Sequence, residues 1–178
     1  MKVLSNEECQ DWLKKADIQV VNKRPTSLHI AKIRAIGASE WFTIPKNARY
    51  YLALADRLCR WFDYSPVLLL ITDWPFFSEE EMATFVKVRQ LYGYNQALID
   101  APGHYFETRT IEDNQALTTL MHYMMVLNWE GFLLHPDKQS VVGLADQVIE
   151  IITADPVKLQ EARILFHDVG IAPLKLYS

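Results

Sequence analysis

The run Val67-Leu68-Leu69-Leu70-Ile71-Thr72, with Pro66 in front of it, restricts the fold of this chain more than any other feature. A strand buried on one face alternates apolar and polar side chains. An unbroken apolar run therefore predicts a strand covered on both faces, as in parallel sheets, and makes this segment the expected central strand. Around it the sequence supplies helices. Ser5 with Glu8, and Ser78 with Glu81, have capping-box spacing, in which hydroxyl and carboxylate each satisfy one free backbone N–H; they predict helices to about Lys15 and to Gly93. Pro45 precedes an amphipathic stretch to Phe62, Thr110 with Asp113 opens a helix to about Leu127, and Asp155-Pro156 pairs an N-cap with proline at the first helical position.

Strand signals lie between the helices. Leu28 to Ala35 alternates with period two, Gly103 to Arg109 reads as a strand, Gly131 to Leu134 as a short one, and Val141 to Thr153 holds one or two more. Alternating strands and helices predict a single three-layer α/β domain over residues 1–178. Its expected sheet is mostly parallel or mixed, of about five strands, with helices on both faces. Pro136-Asp137-Lys138 is too short to house a crossover helix, which favours a mixed sheet over a purely parallel one.

Composition narrows the partners. At 178 residues the chain has the size of one domain that can bury a full core. A net charge of −4 offers no attraction to a phosphate backbone, so no nucleic-acid partner is expected. The apolar runs are too short to cross a bilayer, and the N-terminus turns acidic before any signal-like stretch; the expectation is a cytoplasmic chain without membrane contact. Cys9 and Cys59 lack metal-type spacing and read as free thiols. None of the five histidines stands in a metal-ligand motif, and no GxGxxG, Walker or GxSxG pattern occurs, so neither metal nor cofactor is expected.

Three segments were nominated by the rule that open α/β sheets bind ligands beyond the carboxyl ends of their strands. Asp73-Trp74-Pro75-Phe76-Phe77 puts three large aromatics into a connection that is normally polar. They either fold back on the core or form an apolar anchor for a partner. Arg89 falls in the middle of the apolar arc of Met82, Phe85, Val86, Val88 and Tyr92. A guanidinium there must reach the rim, meet a carboxylate, with Asp73 and Glu107 the first candidates, or turn its donors to an anionic ligand. His104 follows the Pro102-Gly103 turn and lies three residues from Glu107, so on a regular strand the two face opposite ways and form no dyad. Trp129 closes the methionine-rich helix beside Asn128, as a staple of that turn or as an aromatic edge of the same site.

Trp74, Ser78, Arg89, Gly93, Ala101-Pro102-Gly103-His104-Tyr105-Phe106 and Glu112-Asp113 also stand in a recurring order. Over about residues 67–134 that order resembles a group of uncharacterised bacterial single-domain proteins. These share a strand ending in Trp, a Ser-capped helix with Arg ending in Gly, an Ala-Pro-Gly-His-x-Phe turn and an acidic helix start. Their following Gly-Trp-Asp is replaced here by Asn128-Trp129-Glu130. The resemblance implies no activity and directs attention to Arg89 and His104.

Small size, acidity, an aromatic connection and missing catalytic motifs favour a non-enzymatic protein-interaction domain, immunity-like or regulatory, docking another protein through Trp74, Phe76 and neighbouring acidic groups; a homodimer through an exposed helix face is a further reading. The alternative is a small-ligand binder or enzyme with an anion-recognising pocket around Arg89, Asp73 and His104.

Overall fold

The computed structural model describes residues 1–24, 27–30, 37–64, 66–73, 78–91, 93, 101–107, 110–135 and 140–174. In chain order they form β1 (Lys2–Leu4), α1 (Asn6–Lys15), β2 (Val20–Arg24), β3 (Ser27–Ile30), β4 (Ala38–Thr43), a short 3-10 turn (Ala48–Tyr50), α2 (Tyr51–Trp61), β5 (Val67–Asp73), α3 (Glu79–Gln90), β6 (Gly103–Phe106), α4 (Ile111–Val126), β7 (Glu130–His135), β8 (Ser140–Ala145), β9 (Val148–Thr153) and α5 (Pro156–His167).

The helices begin where their caps stand. Ser5 accepts from the Glu8 N–H at 3.2 Å while Glu8 accepts from the Ser5 N–H at 2.8 Å. Thr110 accepts from the Asp113 N–H at 3.0 Å, and Asp155 from the Val157 N–H at 2.8 Å. At the end of α4, Asn128 takes the left-handed conformation (φ 52°) that lets the chain turn sharply into β7.

The sheet corrects the sequence expectation. It has seven strands in the order β1-β6-β5-β7-β8-β9-β4, and every neighbouring pair is antiparallel; β2 and β3 form a separate antiparallel pair. A mostly parallel or mixed sheet of about five strands is therefore excluded. The expected strand at Leu28–Ala35 is β3 as far as Ile30, and residues 31–36 lie outside the described residues. β1, β2 and β4 carried no recognised strand signal.

The reason for the reversed direction lies in the connections. An α-helix between two strands gives a parallel pair only if it returns the chain to the starting end of the sheet and the next strand lies alongside. Eleven positions separate Leu91 from Gly103. That is more than the tight connection of a βαβ unit, and β6 pairs antiparallel to β5. β6 and β7 do run the same way, joined by α4, but β5 lies between them and is antiparallel to both. The βαβ pattern read from sequence is thus a crossover over an intervening strand, which leaves no parallel neighbours.

β5 is buried on both faces, as its composition demands, although it is third from the edge rather than central. Leu68 and Leu70 join Leu4, Cys9, Leu13 and Ile18 on the side of β1 and α1. Val67, Leu69 and Ile71 face the larger core, which α2, α4 and α5 fill with Leu54, Leu58, Leu117, Met121, Met124 and Phe166. Gly131 is required for the approach of α4 to β7. A Cβ there would lie 2.3 Å from the Leu70 carbonyl oxygen and 2.8 Å from the Met124 methyl. No helix among the described residues is long and apolar enough to cross a membrane.

Candidate functional site

One row of paired residues crosses the sheet on its larger-core face: Val3, His104, Leu69, Leu133, Val142 and Ile151, ending at Glu40 on the edge strand. His104 is the only interior position of that row that is not apolar. It is fully buried, and neither ring nitrogen makes a hydrogen bond of good geometry among the described residues, the Leu69 and Pro102 carbonyls being its nearest acceptors. The Phe85 ring of α3 meets it edge-on, with centroids 5.8 Å apart, and Trp129 meets Phe85 from the other side at 4.7 Å and 86°.

One helical turn beyond Phe85, on the same side of α3, stands Arg89. Its side chain has 0% exposure, and none of its three guanidinium nitrogens has a hydrogen-bond partner among the described residues. Burial pulls its pKa below the usual arginine value. Burial first, and then the charge of Arg89, push His104 down to about 3; the carbonyls of Leu69 and Pro102 favour its proton and offset only part of this. His104 is therefore neutral at physiological pH, beside a cation that no carboxylate among the described residues pairs with.

The carboxylates proposed as partners of Arg89 do not pair with it. Asp73 ends β5, half-buried, opposite Glu130 across a register shift that leaves Thr72 out of the ladder. Glu130 alternates with Phe132 and Leu134, and Leu134 belongs to the α1-side core, so the register sets this pair on the face opposite His104. Glu107 is exposed just past the end of β6, while His104 is wholly buried. Trp129 is buried against Phe85, its backbone N–H bonded to the Met124 carbonyl at 2.9 Å. Trp74, Phe76 and Phe77 lie outside the described residues.

The rule that nominated these segments presumes a parallel sheet, where all carboxyl ends lie together, and it does not apply to this one. His104 and Trp129 come together on Phe85 for a different reason. In an antiparallel arrangement the carboxyl end of β5 meets the amino ends of β6 and β7, and the Ile71 N–H donates to the Pro102 carbonyl at 3.1 Å. Sequence reasoning placed Phe85 in the apolar arc without seeing it as the ring between His104 and Trp129 on the helix that carries Arg89. Its signal was the four-residue spacing to Arg89.

Other buried polar groups are structural. The Ser140 and Thr153 hydroxyls bond each other at 2.9 Å, and Thr153 accepts from the Asp155 N–H at 3.2 Å, tying the end of β9 to the start of α5. Cys9 and Cys59 are free and buried; burial raises both thiols, Cys9 to about 12, so neither is a ready nucleophile. Among the described residues no cluster of three or more His, Cys, Asp or Glu could hold a metal ion. Comparison of the chain with known protein families, with curated proteins and with solved structures finds no match in any of them.

Proposed function

We propose that the protein binds a small anionic ligand through Arg89, with His104 as the second polar group of the site. The observation that carries this reading is the buried guanidinium without a hydrogen-bond partner among the described residues. A buried arginine has three outlets: its head reaches water, an internal carboxylate neutralises it, or an external anion does. Zero exposure argues against the first, and the lack of any bond to Asp73 or Glu107 against the second. Removing a charge from water costs several kcal/mol even after relaxation, so the third outlet supplies what the described residues do not. The guanidinium fork suits this task because two parallel N–H groups grip two oxygens of one anion. Phe85, one turn before Arg89 on α3, packs against His104 and Trp129, and an apolar surrounding of this kind strengthens an ion pair.

The alternative of docking through Trp74 and Phe76 draws no support from the described residues. Nor is His104 poised as a general base, since at about 3 its pKa lies far from the neutral range where proton transfer is efficient.

Calorimetric titration with sulfate and with inorganic phosphate, in a buffer free of other oxyanions, tests the proposal. The wild type is expected to give saturable binding of one anion, and Arg89→Met, shown folded by circular dichroism, to give none. Equal binding by both proteins, or no binding by the wild type, overturns it.

A further inference from the structure

Resting on that anion-binding reading, the second buried group without a partner narrows the class of ligand. A guanidinium has donors and no acceptor, and a carboxylate laid on its fork engages both of its oxygens there. That leaves His104 beside a neutralised pair with no charge to answer. A tetrahedral dianion differs in two ways. Two oxygens take the fork while a third remains for an imidazole N–H, and its second negative charge calls for a second cation where water is excluded.

His104 is placed to be that cation. Leu69 of β5 and Val3 of β1 flank it within the sheet, and α3 faces it with Phe85 and Arg89. On the same face, α4 turns Leu117 and Leu120 into the core, and its one buried carboxylate, Asp113, bonds the Met1 amino group at 2.5 Å. Among the described residues Arg89 is the charged group that acts on His104. An incoming dianion reverses the sign of that field.

We propose that the ligand carries a terminal phosphoryl group in its dianionic form, and that binding draws one proton from solvent onto His104, so that Arg89 and His104 grip it as a pair of cations. Above the second pKa of the phosphoryl group, about 6, where the free ligand is itself a dianion, the complex then holds one proton more than its free components. By linkage, affinity rises as pH falls, by at most about tenfold per pH unit. A ligand of fixed single charge gains nothing from the same change.

The test uses the full chain with sulfate as a dianion of constant charge and acetate as the carboxylate comparator, titrated near pH 8 and near pH 6. Sulfate is expected to bind about tenfold or more tightly at the lower pH, and acetate to bind weakly with no pH dependence. Glycerol 3-phosphate, run beside inorganic phosphate, separates an esterified phosphoryl group from free phosphate by which of the two binds more tightly. With ¹³C-labelled histidine, one ring signal near pH 7 should move to the imidazolium position when sulfate is added, and that signal should be missing from His104→Gln. The wild-type spectrum carries the test even if that variant does not fold. Acetate binding as tightly as sulfate, with every ring still neutral, overturns the dianion inference and leaves Arg89 as a carboxylate site. Absence of all anion binding removes both.

Discussion

At the residue scale, Arg89 and His104 each break the rule that buried polar groups find partners. Their consequences for stability have definite signs. His104 is depressed in the folded state to about 3, whereas an unfolded histidine titrates near 6.5. The unfolded chain therefore takes up a proton first as pH falls. The stability that depends on neutral His104 is complete above about pH 6.5 and is lost progressively between there and about 3. At pH 5 the loss from this one group amounts to about 2 kcal/mol. Urea denaturation at pH 7 and pH 5 measures it, with His104→Leu expected to show a pH dependence smaller by that amount; an unchanged pH dependence would show that His104 is protonated in the folded protein. Arg89 was legible in the sequence as a cation in an apolar arc. Its lack of a partner was not, because three outlets were equally consistent with helical spacing and only the packing distinguishes them.

At the element scale, α3 is the helix least tied to the core. Among its described side chains only Phe85 and Arg89 are buried, and Met82 and Leu91 next to its end are exposed. Because neither Arg89 nor His104 touches solvent, a ligand reaches them only through local opening, and α3 is the element whose opening costs least. Hydrogen exchange should accordingly be faster in α3 than in α2 or α4, and sulfate should slow it there selectively. Uniform slowing across all helices would argue against this route. α4 behaves in the opposite way, since Gly131 lets it pack closely on β7. Gly131→Ala sets a Cβ against the Leu70 carbonyl, a backbone atom that cannot rotate away, and is expected to cost about 1–3 kcal/mol or more in urea denaturation. Thr110→Ala, which removes the cap of the same helix, is expected to cost about 1 kcal/mol. The caps were the readable part of the chain. Hydroxyls and carboxylates at fixed spacing act locally, so Ser5, Thr110 and Asp155 marked helix starts without knowledge of the fold.

For the whole molecule, strand direction was the part that local signals did not carry. The apolar run of β5 predicted burial on both faces, and both faces are buried. What the run did not encode is that α1 packs on one face of an antiparallel sheet while α2, α4 and α5 pack on the other. Burial on two sides suits either strand direction, and direction is settled by where each connection ends, in segments such as 92–102 that have no periodicity to read. β1 and β4 were missed because three and six residues at the sheet edges alternate too briefly, or too incompletely, to stand out. The antiparallel sheet is nevertheless what brings the site together: β6 runs back along β5, setting His104 against Leu69, beneath the helix that carries Arg89.

The central claim is that an internal cation without a partner is kept for an external anion. The most direct measurement is the unfolding free energy of the wild type and of Arg89→Met in urea, each with and without sulfate. Replacing an unpaired buried charge by an apolar side chain of similar length should stabilise the anion-free protein by about 1–4 kcal/mol. Sulfate should then raise the wild type, by about 2.7 kcal/mol at one hundred times its dissociation constant, and leave the variant unchanged. An Arg89→Met protein less stable than the wild type in anion-free buffer, and a wild type indifferent to sulfate, would contradict it.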